Sequence, residues 1–186
     1  MKEAVQSAVD ALKRGEVILY PTDTIWGIGC DATNPDAIDK VYKIKARDLN
    51  KPLLVILDDD RKLNRYIKEV PDVAWDLLDH SDKPMTIIYP EAYNLAPNLP
   101  AVDGSIGIRI VKHDFCEAVL RKFNKPLVST SANFSGEPSP KSFEEISQRL
   151  RDAVDYVVPS SIKAGGNRAS SIIKLGVGGQ VQIIRK

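Results

Sequence analysis

A chain of 186 residues, 43% hydrophobic and 27% charged, is long enough for one domain with a real apolar core. Its 26 basic and 25 acidic residues leave a formal charge of +1, which argues against a protein that coats nucleic acid by bulk charge. Cys30, Cys116, His80 and His113 form no zinc-spaced cluster, and no apolar stretch approaches the ~18 residues of a membrane span.

Ala4, Val5, Ala8, Val9, Ala11 and Leu12 recur at helical spacing, and Gly15 supplies a stop. The N-terminal stretch is charged throughout with no signal-like apolar run, so a reduced cytoplasmic chain is expected. Residues 17–20 read as a buried strand closed by Pro21. Asn34 followed by Pro35 predicts a helix start, with Ile38, Val41, Tyr42 and Lys45 on one face and fraying near Ile44. Residues 52–57 have strand length, and helical stretches follow around 59–68 and 71–79. The run Asp58, Asp59 and Asp60 is expected to cap a helix rather than hold a metal.

Residues 85–89 predict a strand, 90–104 a long proline-bearing loop, and 105–111 a further strand. Asp114 with Glu117 makes a capping-box pattern, as does Ser142 with Glu145 for a helix running to about residue 152. A short strand at 127–130 runs straight into a Ser/Asn segment, and strands at 155–158, 170–175 and 181–185 finish the chain. Strands and helices alternate, then strands cluster. That order predicts an α/β fold: a single domain over 1–186, with helices packed on a twisted, open, mixed sheet.

Two segments carry chemistry. Residues 45–53 place Lys45, Arg47 and Lys51 together, and residues 129–136 place Ser129, Thr130, Ser131 and Asn133 together. Cations hold phosphate, and short hydroxyls and amides orient it. In extended chain Lys45 and Arg47 would point the same way; on a helix end they would be solvated charges suited to the dipole. The Ser/Asn segment is either a hydroxyl-rich turn or a ligand site at a strand end. Thr22, Asp23 and Thr24 end the first strand in the same manner, and Gly27 and Gly29 follow, where backbone can approach a ligand. Arg109 either reaches the site or pairs with a carboxylate, the two histidines read as structural, and Gly165, Gly166 and Asn167 read as a loop with the flexibility of a lid. There is no P-loop and no GxGxxG.

The order PTDTIWGIGCDA, KARDLNKPL, GIRI and KPLVSTSANFSGEPSP resembles the YrdC family of threonylcarbamoyl-AMP synthases, from residue 5 to the C-terminus. The resemblance implies a YrdC-like fold with a concave, positively charged face. It implies a nucleotidyltransferase that joins L-threonine, bicarbonate and ATP, releasing pyrophosphate, for threonylcarbamoyladenosine formation in tRNA. Lys45, Arg47, Ser131 and Asn133 fall on the family's Lys-Arg-Ser-Asn tetrad and are the implied catalytic group. The implied ATP contacts are Lys45, Arg47, Lys51, Ser129 and Asn133. The implied threonine contacts are Thr22 or Thr24, Arg109 and Ser131. Mg2+ is expected on the triphosphate with no protein metal ligands, and downstream threonylcarbamoyl-transfer proteins are the implied partners.

Three stretches depart from the family's pattern. Ser81-Asp82-Lys83-Pro84 stands for Trp-Pro-Gly-Pro, Ile56 for a histidine, and Ser170-Ser171-Ile172 for Ser-Thr-Val. The related YciO branch departs at Ser-x-Asn, a segment this chain has. The competing reading is a module of the same fold that binds tRNA or double-stranded RNA without synthase activity; with a net charge of +1, any RNA binding is expected to be weak and steeply salt-dependent.

Overall fold

Nine strands hydrogen-bond into one mixed sheet in the computed structural model, which describes residues 1–186. The elements run α1 (Lys2–Lys13), β1 (Ile18–Pro21), β2 (Trp26–Gly29), α2 (Pro35–Lys45), β3 (Leu54–Leu57) and a 3-10 helix (Asp60–Arg65). They continue with α3 (Asp72–Asp79), β4 (Met85–Tyr89), β5 (Ile106–Ile110), α4 (Asp114–Phe123) and β6 (Leu127–Ser131). The chain ends with α5 (Gln148–Ala153), β7 (Tyr156–Val157), β8 (Ser171–Leu175) and β9 (Val181–Arg185). The strand order is β7-β1-β2-β6-β3-β5-β4-β8-β9. The β1–β7, β3–β5 and β4–β8 pairs are parallel and the rest antiparallel.

Strand alternation separates core from cavity. Val55, Ile108, Ile87 and Ile173 form a row across β3, β5, β4 and β8 and belong to the apolar core or pack on it. On the other face, the row Leu54, Gly107, Ile88 and Lys174 lines an open cavity. Of the helices, α1 packs on α4 and β1, and α2 packs on β2. The buried stripe of α1 is the one its periodicity predicts: Ala4, Val5, Ala8, Val9, Ala11 and Leu12. Both cysteines are buried and free. No helix is long and apolar enough to cross a membrane.

Several local expectations are corrected. The helix from Pro35 does not fray at Ile44 but runs to Lys45 and stops on Ala46 in the left-handed region, at φ 49°. Asp114 is not a cap: His113 precedes the helix with no side-chain cap bond, and Glu117 instead accepts a hydrogen bond from Arg121. The Ser142–Glu145 box does not open a helix either. Glu145 accepts from the Lys141 backbone, and α5 begins six residues after Ser142 with Ser147 as its cap. Asp59 does cap the 3-10 helix, and Asp58 pairs with Lys62.

Strand β2 is legible only in three dimensions, because its glycines interrupt the apolar pattern. Both are required by the sheet, and Gly27 also lines the cavity. A Cβ on Gly29 would lie 1.8 Å from the Val128 carbonyl oxygen of neighbouring β6, and one on Gly27 would lie 3.1 Å from the Thr130 carbonyl. Gly29→Ala is therefore expected to lower the unfolding free energy by about 3 kcal/mol, the upper part of the usual overpacking range. Urea denaturation measures it, and an unchanged midpoint would mean the strand pair has slack.

Candidate functional site

The cavity has a volume of about 710 Å³ and draws its walls from seven of the nine strands and the loops between them. Hydrogen bonds and strand register divide it into three neighbourhoods.

The first surrounds Arg109 on β5. Register places Arg109 beside Thr86 of β4, and the Thr86 hydroxyl lies 2.8 Å from the Ser170 hydroxyl. Arg109 is 4% exposed and pairs through Nη2 with Asp23 Oδ1 at 3.2 Å. Its Nε is buried without a partner. Thr22 and Thr24 stand on the same wall, with their hydroxyl oxygens 2.9 Å apart; Thr22 also donates to the Ile25 carbonyl at 2.8 Å. Arg185 of β9 reaches in and donates twice to the Ser170 carbonyl, at 2.9 and 2.6 Å. Burial, and next the Arg109 charge, push the Arg185 guanidinium below its ordinary value. Two guanidinium groups thus face one nearby carboxylate, leaving the neighbourhood anion-seeking.

The second neighbourhood is built on the Lys45–Lys51 turn and the end of β6. After the left-handed Ala46 the chain reverses, and Arg47 donates from Nε to the Lys51 carbonyl at 2.9 Å and from Nη2 to the Pro52 carbonyl at 3.1 Å. Arg47 lines the cavity with Asn50, Ser129, Thr130 and Ser131. Lys45 does not. It is 1% exposed, and its Nζ donates to the Ser131 carbonyl at 2.5 Å and the Asn133 carbonyl at 2.8 Å, with Asn133 Oδ1 at 3.4 Å. Burial, and next the Arg47 charge, push the Lys45 ammonium down to about 7, while those three oxygens favour its charged form. The Asn133 amide is likewise engaged: Oδ1 accepts from Ser131 Oγ at 2.5 Å, and Nδ2 donates to the Glu137 carbonyl at 2.6 Å.

So the predicted Lys-x-Arg and Ser-x-Asn pairs do meet, but with different tasks. Arg47 and Ser131 face the cavity, and Lys45 and Asn133 brace the turn behind them. Lys51 offers its carbonyl to Arg47 and to the Tyr42 hydroxyl, and is not part of the cavity wall.

The third neighbourhood is the row Leu54, Gly107 and Ile88, with Val102 and Ile106 beside it and a 2.8 Å ion pair between Lys174 and Asp103 at its edge. Asp103 also accepts from the Ser105 backbone and hydroxyl, and the Lys174 contact with these bonds holds its carboxyl well below the usual range. Gly107 leaves this floor without a side chain.

The sequence family described as telomere recombination, Sua5/YciO/YrdC, matches residues 10–186. The chain belongs to this family. A threonylcarbamoyl-AMP synthase of Pseudoalteromonas translucida is 33% identical over 183 residues, covering 97% of both chains. Escherichia coli YciO superposes with a TM-score of 0.84 at 23% identity, over 100% of this chain and 90% of that one. Pyrococcus abyssi Sua5 with bound L-threonine superposes with a TM-score of 0.79 at 23% identity, over 92% of this chain and 50% of the longer Sua5 chain. These likenesses bear out the YrdC-like fold.

Within that fold, residue-type reasoning passed over Thr86, Asp103, Lys174 and Arg185. No local motif flags them: each sits in an ordinary strand or loop and reaches the Sua5/YciO/YrdC cavity only through sheet order. Ser170 had a signal, as the first residue of the late Ser-Ser-Ile stretch. The Gly165–Gly166 loop is docked: Gly165 donates its N–H to the Thr22 carbonyl at 2.8 Å. His80 Nδ1 lies 2.8 Å from the Asp76 carbonyl, and His113 Nε2 lies 2.9 Å from the Lys163 carbonyl.

Proposed function

We propose that this protein is an L-threonylcarbamoyladenylate synthase. The observation that carries the reading is one continuous cavity holding both an amino-acid-type neighbourhood at Thr22, Thr24, Arg109 and Ser170 and a phosphate-type neighbourhood at Arg47 and Ser129–Ser131. It is supported by full-length similarity to a synthase at 33% identity.

Threonine enters with its carboxylate on Arg109, whose buried, unpartnered Nε awaits an acceptor. Its hydroxyl and amine face Thr22, Thr24 and Ser170. The amine adds to bicarbonate, water leaves, and an N-carboxylate forms. An oxygen of that carbamate attacks the α-phosphorus of ATP; the bond to the β-phosphate oxygen breaks, and pyrophosphate departs with the electron pair. Arg47 and the hydroxyls of Ser129 and Ser131 stabilise the charge that builds on the phosphate oxygens. No side-chain nucleophile takes part, so alignment of two bound reactants supplies much of the rate, on the order of 7–11 kcal/mol in favourable cases.

The flat row at Gly107 seats the nucleoside. ATP brings its own Mg2+: the wall offers hydroxyls and guanidinium groups, which suit phosphate oxygens, so phosphate and water hold the ion. The product is consumed in the cytoplasm by proteins that pass the threonylcarbamoyl group to tRNA.

Labelled threonine, bicarbonate and ATP are expected to yield a labelled adenylate and one pyrophosphate per adenylate. Pyrophosphate release that is indifferent to threonine would overturn the reading.

A further inference from the structure

Asp23 contributes no atom to the cavity wall, yet it is the carboxylate that Arg109 meets. Its side chain is 7% exposed and that of Arg109 is 5% exposed, so the pair is withdrawn from water. A buried guanidinium without a countercharge carries a large desolvation cost, and a single fixed contact also restricts where its planar fork points. Nη2 meets Asp23 Oδ1 as an ion pair at 3.2 Å without hydrogen-bond geometry, so Asp23 Oδ1 and Arg109 Nε are both buried without a hydrogen-bond partner, and the guanidinium lines the cavity.

Asp23 is itself held from three sides. The Lys112 N–H donates to its second oxygen at 3.4 Å. The Thr22 hydroxyl shapes the turn by accepting from the Thr24 N–H at 3.1 Å. Gly165 lies so close that a Cβ there would sit 2.9 Å from the Asp23 carbonyl oxygen and 3.1 Å from its Cα. Gly166 is nearly as close, with a Cβ 3.1 Å from the Thr24 carbonyl oxygen.

We propose that Asp23 is a positioning residue for the amino-acid subsite: it aims the Arg109 fork at the substrate carboxylate, and the Gly165–Gly166 loop clamps Asp23 in place. This rests on the assignment of Arg109 to threonine. The charge effect and the aiming effect oppose each other. Removing the Asp23 charge strengthens the bare attraction of Arg109 for an anion, whereas losing the contact frees the fork. A bidentate grip needs a fixed plane, so the aiming effect dominates.

The test is L-threonine binding by calorimetry, with ATP affinity and thermal unfolding measured on the same preparations. Asp23→Asn keeps the shape and removes the charge; it is expected to weaken threonine binding by about tenfold and leave ATP affinity within about twofold. Gly165→Ala removes no charge and only presses on the Asp23 backbone. It is expected to weaken threonine binding in the same selective way, by about threefold or more.

Unchanged or tighter threonine binding in folded Asp23→Asn overturns the proposal. So does an equal loss for threonine and ATP, which marks a general structural role. If Asp23→Asn does not fold, Gly165→Ala decides by the same criteria. Because binding is read directly, the proposal stands or falls apart from turnover; a wild-type protein that binds threonine but forms no adenylate would remove the synthase reading and leave this one intact.

Discussion

Lys45→Met should lose on the order of 10²-fold in turnover, the size of one removed electrostatic support, although Lys45 does not touch the cavity. The ammonium ties the ends of two elements together. It leaves the last turn of α2 and gathers the carbonyls of Ser131 and Asn133, while the Lys45 carbonyl accepts from the Ser135 N–H at 2.9 Å. Without it, Ser131 is no longer held against the Arg47 turn.

Stability should fall as well, by about 2 kcal/mol rather than more, for a specific reason. The Ser131 carbonyl keeps a second donor in the Asn133 N–H at 3.0 Å, and Asn133 Oδ1 keeps the Ser131 hydroxyl. Mainly the Asn133 carbonyl is orphaned, and methionine also removes the cost of burying a charge.

The same side chain gives a pH signature. Its folded value, lowered to about 7, lies below the unfolded value near 10.5, so between them the unfolded chain binds more protons. The wild type then gains stability as pH rises through that window and loses it as pH falls through about 7. Lys45→Met lacks this slope, so the stability gap between the two proteins should widen from about pH 6 to about pH 9.5. Urea titrations at both pH values, with steady-state kinetics, measure all three effects. Full wild-type turnover with parallel stability curves would remove Lys45 from the site.

Much of the sheet was legible because its central strands are short apolar runs with clear ends. Residues 85–89 and 181–185 coincide with β4 and β9, and β3, β5, β6 and β8 differ from expectation only at their termini. Strand β2 was hidden because Gly27 and Gly29, required by the closeness of β6, look like a ligand-approach loop. The two capping boxes misled because a Ser/Asp-x-x-Glu pattern does not exclude competing local partners: Glu117 is taken by Arg121 and Glu145 by the Lys141 N–H, each four residues away.

At the site, residue types and order brought the Lys-x-Arg and Ser-x-Asn segments to notice, and the structure places them against each other. Which member faces the cavity was beyond pattern reading. That depends on the left-handed turn at Ala46, and alanine gives no hint of a positive φ. Arg185 and Thr86 were invisible for a related reason: they come together only because the parallel pairing of β4 with β8 joins two strand pairs, β4–β5 and β8–β9, that are far apart in the chain.

Arg47→Lys should be nearly as damaging as removal of the charge altogether, with turnover down on the order of 10²-fold and ATP bound more weakly. Lysine preserves the formal charge, so a purely Coulombic account predicts a mild effect. The geometry predicts otherwise. Arg47 spends two donors on its own loop, on the carbonyls of Lys51 and Pro52, and these bonds shape the turn between α2 and β3. Its remaining guanidinium hydrogens are what the cavity sees. A lysine ammonium is a single point on a flexible stem: facing the phosphate it abandons the two carbonyls, and bonding them it withdraws from the phosphate. Burial already pushes the Arg47 guanidinium below its ordinary value, so the residue sits where a mobile, strongly hydrated ammonium is least favoured. Adenylate formation under saturating threonine and bicarbonate, with ATP affinity measured separately by calorimetry, distinguishes the two accounts. A loss confined to ATP affinity would mean that Arg47 holds phosphate equally in ground and transition states, while a fall in kcat places its contribution on the departing pyrophosphate. Near-wild-type values for both would show that charge alone suffices and that the loop bonds are incidental.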